Sequence, residues 1–133
     1  MPFGTATVVT TVGKAAIADR IRTTPATYTN APKHVGMGVG ATGATRTAVV
    51  GDTALSTEVE SRTSGTESVQ TTTTTGDTYQ VVGTVTATAT RAVDEAGLFD
   101  AASSGNLFLS ATFAVINLAS GDSIQFTFKT QLT

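Results

Sequence analysis

The side chains in this sequence that could do chemistry are few and scattered. His34 is the only histidine, and it follows Lys33 in a loop-like stretch. A general base needs a nucleophile or carboxylate beside it, and a metal ligand needs fellow ligands. Nothing near His34 supplies either, so a structural role is expected. The densest acidic group is Asp94, Glu95 and Asp100, flanking Gly97-Leu98-Phe99. Two carboxylates can share acid–base work or hold calcium. In a strand, however, Asp94 and Glu95 point to opposite faces, and the spacing matches no calcium loop. The expectation is that Glu95 turns inward and pairs with an arginine such as Arg91 or Arg62, fixing a strand bend.

The run from Val35 to Gly43 (VGMGVGATG) has the glycines of a phosphate loop. That chemistry also requires a helix starting just after them, with its amides facing the phosphate. Ala44 to Asp52 is instead β-branched and ends in a turn. No serine sits in a Gly-x-Ser-x-Gly elbow. The chain is therefore expected to carry no catalytic residue, no cofactor site and no metal site.

Composition points the same way. The 133 residues suit one domain, with net charge −2 and 14% charged residues. The basic residues (Lys14, Arg20, Arg22, Lys33, Arg46, Arg62, Arg91 and Lys129) are dispersed, whereas nucleic-acid binding needs them clustered. No nucleic-acid partner is expected. No membrane partner is expected either, since no stretch approaches the roughly 18 apolar residues of a span. Met1 to Thr5 lacks the pattern of a signal peptide, and the absence of cysteine favours a reducing compartment. The 29 threonines, 19 alanines and 13 glycines imply pleated strands with an uncharged surface suited to packing against other proteins.

The elements that must position these residues are mostly strands. Thr5 to Val12 reads as a strand or an extended arm, and Lys14 to Arg22 carries a short helical pattern with Ile17 and Ile21 four apart. Val35 to Gly40 alternates apolar residues with glycine, which predicts a strand whose glycine face lies against other atoms. Thr71 to Thr75 reads either as a flexible tip or as a two-sided polar strand. Thr78 to Thr90 alternates throughout, with Tyr79, Val81, Gly83, Val85, Ala87 and Ala89 on one face. Leu107 to Ile116 places Leu107, Leu109, Ala111, Phe113 and Val115 together. Ser123 to Leu132 turns Ile124, Phe126, Phe128 and Leu132 inward. The short turns at Ser103–Asn106 and Ser120–Asp122 predict an antiparallel meander. The expected fold is all-β: an antiparallel β-sandwich or flattened barrel with one short helix near the N-terminus. Residues 1–12 would be an arm or first strand, and 13–133 one sandwich domain.

Several segments resemble a module of structural proteins from tailed bacteriophages. They are Asp77-Thr-Tyr-Gln-Val-Val-Gly-Thr-Val-Thr-Ala, Asp94-Glu-Ala-Gly-Leu-Phe-Asp-Ala, Gly105-Asn-Leu-Phe and Gly121-Asp-Ser-Ile-Gln-Phe-Thr-Phe-Lys. The first half fits the same pattern through Lys14–Arg22, Val35–Gly40 and Thr53-Ala-Leu-Ser-Thr-Glu58, so the resemblance spans roughly residues 12 to 132. It implies a particle component without enzymatic activity or cofactor. Within such particles the expectation is a capsid decoration (cement) protein on the outside of the virion head. It would form a homotrimer and bind the major capsid protein. Phe3, Thr5, Thr7, Val8, Val9 and Thr73 are the expected contact residues, with the N-terminal arm adding a strand to a neighbour's sheet. The alternative is a tail, neck or fibre-associated protein with an adhesive role. A cell-wall hydrolase is the remaining possibility.

Overall fold

The alternation of threonine with valine and phenylalanine becomes strand after strand, because β-branched side chains pack well on a pleated surface. The computed structural model describes residues 6–21, 24, 27–41 and 46–133. Among these, the elements in order are β1 (Ala6–Val9), α1 (Thr11–Arg20), β2 (His34–Val39), β3 (Glu58–Ser64) and β4 (Thr66–Gln70). They continue with β5 (Thr78–Thr86), β6 (Arg91–Phe99), β7 (Leu107–Leu118) and β8 (Ser123–Gln131). The fold is an antiparallel, two-sheet, sandwich-like all-β structure with one short helix near the N-terminus.

One sheet has the order β1-β7-β6-β2-β3 and the other β4-β5-β8. The core fills the space between them with Val35, Met37, Val81, Val85, Leu98, Leu109 and Phe128. Phe113, Phe126 and Phe128 extend it as neighbouring rings, with centroids 6.1 and 6.3 Å apart along that row. The topology departs from the expected meander. Only β2–β3, β4–β5 and β6–β7 pair as chain neighbours, whereas β8 leaves β7 and pairs with β5 through nine residues. Apolar alternation says which face is inward but not which sheet a strand joins.

The helix begins earlier than its periodicity suggests. Thr10 caps it: the Thr10 hydroxyl accepts from the Gly13 N–H at 2.9 Å and donates to the Leu107 carbonyl. A Cβ on Gly13 would collide with the Phe108 carbonyl oxygen, so glycine lets α1 lie directly on β7. Ile17 packs against the core. Ile21, expected beside it, ends the helix as its C-cap and is 81% exposed. Leu132, expected to face inward, is 60% exposed just past the end of β8.

The two sheets are joined at Gly65, where β3 ends and β4 begins. A Cβ there would lie 2.6 Å from Val81 Cγ1 and 2.9 Å from the Val82 carbonyl, and the Gly65 N–H donates to the Lys33 carbonyl at 2.7 Å. The chain turns this corner only because no side chain is present. Gly65→Ala is expected to lower the unfolding free energy by about 1–3 kcal/mol through overpacking. Gly51→Ala, where the added methyl meets open space, should stay within about 0.5 kcal/mol of the parent. Urea denaturation of both variants provides the comparison.

Candidate functional site

Each sequence candidate has a definite place. His34 opens β2, paired with Ser64 of β3 and Phe99 of β6, and its Nδ1 is buried without a hydrogen-bond partner. Among the described residues, no group of three or more His, Asp or Glu side chains is arranged to hold a metal. Asp100 accepts from the Asn106 backbone N–H at 2.7 Å and its side-chain amide at 2.8 Å, closing the β6–β7 turn.

Glu95 is buried, at 0% exposed, but not inward as expected: Ala96 and Leu98 face the core between the sheets, and Glu95 lies on the opposite face of β6 with Phe99. Its partner is neither Arg91 nor Arg62. Arg91 bonds Glu60 at 2.7 Å, while Arg62 bonds Glu58 and lies over the Phe99 ring at 3.4 Å. Glu95 instead meets Arg46, whose Nη1 lies 3.1 Å from Oε2, and its Oε1 accepts the Thr57 N–H at 3.1 Å. The other arm of Arg46 reaches Asp52 at 2.7 Å. Asp52 in turn accepts from the Ser110 hydroxyl and the Val49 N–H. The glycine face of β2 makes room for this carboxylate, since a Cβ on Gly38 would sit 2.5 Å from Glu95 Oε1. The ladder is bulged on both sides of Glu95, between Val93 and Glu95 toward β7 and between Gly38 and Val39 toward β2. The arginine paired with Glu95 is thus Arg46, not either of the two expected.

Burial pushes the Glu95 carboxyl above its ordinary value, opposed by the Thr57 N–H and then by Arg46. A raised carboxyl favours folding with its proton on, so its share of stability falls as pH rises from the ordinary range through the raised one. Arg46→Met removes the nearby cation and leaves a buried charge uncompensated. It should cost about 3 kcal/mol at neutral pH. Part of that loss should return in mildly acidic buffer, as Glu95 protonates, and in the double variant Arg46→Met/Glu95→Gln. Denaturant melts at the two pH values test the sign.

The expected contact residues fall in two places. Phe3 and Thr5 lie outside the described residues. Thr7, Val8 and Val9 belong to β1, which pairs with Ala111, Ser110 and Leu109 of β7 and is thus a strand of the domain's own sheet. Thr73 lies in the β4–β5 turn, so the threonine run is not a strand. Asp77 gathers the Thr72, Thr73 and Thr74 N–H groups at 2.8–3.0 Å and also accepts from Gln131. These bonds, led by those from the turn amides, hold its carboxyl far below the ordinary value. Thr73 and β1 are not brought together into one site.

The surface that could engage another chain is the open side of the sandwich. The Gly65 corner links the sheets along one side, with β3 and β4 at the margin of each. On the opposite margins β1 and β8 are edges among the described residues, and between them lies an opening of about 550 Å³ lined by Thr7, Ala96, Ala111, Phe126, Thr127, Phe128 and Lys129. The edges of the larger sheet differ. β3 is broken between Val59 and Thr63, with Glu60 at φ 64°, a left-handed conformation held by Arg91 and Thr88. β1 pairs in unbroken register and carries neither proline nor charge, the devices that normally blunt an edge. Sequence reading singled out β1 by composition. It missed the seam, because only the sheet assignment brings β8 to the same opening. Comparison with protein-family models, with curated proteins and with solved structures finds no match to this chain.

Proposed function

We propose that this chain is a non-enzymatic building block of a tailed-phage particle. More closely, it would be a capsid decoration protein that clamps capsid subunits from the outside of the head. The observation that carries this reading is the pair of edges, β1 and β8, flanking a seam that holds Phe126 and Phe128 on a weakly charged surface. A neighbour's extended segment can pair with β1 through main-chain hydrogen bonds while its side chains enter the seam over Phe126 and Phe128. Such contacts are additive around a lattice. A subunit that binds only the assembled capsid stabilises that state by mass action.

The ionisable groups support the same reading by what they do. Glu95, Asp52, Glu58, Glu60, Asp77 and Asp100 all accept hydrogen bonds that fix loops, bulges and turns. Carboxylates committed to the scaffold suit a component whose task is to keep its shape. Homotrimerisation around a local symmetry axis, with the major capsid protein as the other partner, completes the proposal.

Two measurements test it. Antibody labelling and quantitative subunit counting on particles that carry the chain should place it on the head at a copy number matching the capsid lattice. A number matching a single tail or neck ring would overturn the decoration role. Deleting residues 1–12 is a poor probe, because Thr10 caps α1 and bonds β7. Thr7→Lys instead puts a charge on the exposed edge. The variant should unfold at the parent's denaturant midpoint yet lose particle binding, and undiminished binding would remove β1 as the contact.

A further inference from the structure

Residues 46–57 cross the outer face of the larger sheet as a strap. Leu55 is its apolar anchor, packed with Phe99 and Leu107. Hydrogen bonds tie it at three further points. The Ala48 N–H donates to the Thr112 hydroxyl at 3.1 Å, and the Ser110 hydroxyl donates to Asp52 at 3.0 Å. The Val50 carbonyl accepts the Thr11 N–H at 2.7 Å. Arg46 adds an ionic tie. Of its two ion pairs, the one to Asp52 at 2.7 Å stays within the strap, and the one to Glu95 at 3.1 Å crosses to the sheet.

The charges around Glu95 do not balance. Asp94 precedes it in β6, and Asp52 shares its arginine. Glu58 of β3 stands opposite Gly38, the β2 residue that pairs with Glu95 in the ladder. Arg62 is committed to that Glu58 at 2.6 Å, so the cation facing Glu95 is Arg46. From β7 the opposing residue is Thr112, which does not titrate. Carboxylates in excess around one guanidinium take up a proton as pH falls. Burial favours the same uptake at Glu95, pushing its carboxyl above the ordinary value.

We propose that Glu95 is a proton-operated latch: on taking up a proton it frees Arg46, and the strap lifts locally from a sandwich that stays closed. A neutral Glu95 still accepts the Thr57 N–H, so that end of the strap remains in place. Arg46 keeps Asp52, a partner that moves with it. The strap therefore opens from its Arg46 end, and the apolar surface that Leu55 shares with Phe99 and Leu107 is uncovered in acid.

Amide hydrogen exchange of the full chain in neutral and mildly acidic buffer tests this, each rate divided by its intrinsic rate at that pH. Ala48 and Val49 are the reporters, because their N–H groups bond Thr112 and Asp52 rather than Glu95. Their protection should fall about tenfold in acid, the worth of one hydrogen bond to a charged group. Gly65, at the corner between the sheets, and Ala87, just past β5, should keep theirs. Glu95→Gln, a neutral side chain of the same shape, should show the low Ala48 and Val49 protection in both buffers. Equal protection of the two reporters in the parent at both pH values would overturn the proposal. So would an acid-induced fall that persists in Glu95→Gln, which would assign the proton to another carboxylate. A parallel loss at Gly65 and Ala87 would make the change global unfolding and overturn it as well.

Discussion

The larger sheet is organised around one fully buried carboxylate. Glu95 sits in β6 between β2 and β7, and a buried charge there requires a cation and donors close by. Arg46 and the Thr57 N–H supply them, from the two ends of residues 46–57, the described stretch before β3. Pinning those ends lays the segment over the outer face of the sheet. Ala48 then donates to the Thr112 hydroxyl, and Leu55 closes a small second core with Phe99 and Leu107. The strict glycine at Gly38 and the two flanking bulges are the local adjustments this arrangement demands. One ionic contact thereby converts an irregular stretch into a third layer.

Much of this was legible in the sequence wherever the information was local. The alternation in β5 and β8, the glycine face of β2 and the burial of Glu95 all follow from residue types and spacing; in β7 the expected common face is broken, with Leu107 in the outer cluster and Val115 exposed. The identity of the cation did not, because Arg46 is 49 positions away and nothing in the order of residues prefers it to Arg91 or Arg62. Ile21 fitted a helical stripe, but the cap at Thr10 set the helix three residues earlier than the stripe implied. The threonine run was ambiguous for a related reason. Five identical residues carry no pattern, and what shapes them is Asp77 just beyond.

The two flanks of the sandwich are built to different ends. Along one, the chain crosses between sheets at Gly65, and the neighbouring edge is disrupted by Glu60 in a conformation that repels a further strand. Along the other, β1 and β8 run without interruption beside the half-buried Phe126 and the buried Phe128. The two edges of the larger sheet therefore differ: β3 offers a broken edge and β1 an unbroken one.

The pairing of β1 with β7 also sets the order in which the protein can be completed. Thr7 lies opposite Ala111, and Thr10 bonds Leu107, so the first strand to leave the ribosome finds its partner about a hundred residues later. At ordinary elongation speeds that wait is on the order of ten seconds. Through it the helix has no cap contact to β7 and β1 has no ladder. Non-local pairing of this kind makes folding slow and late. β1 is thus made before every other described strand and seated only after β7 has emerged.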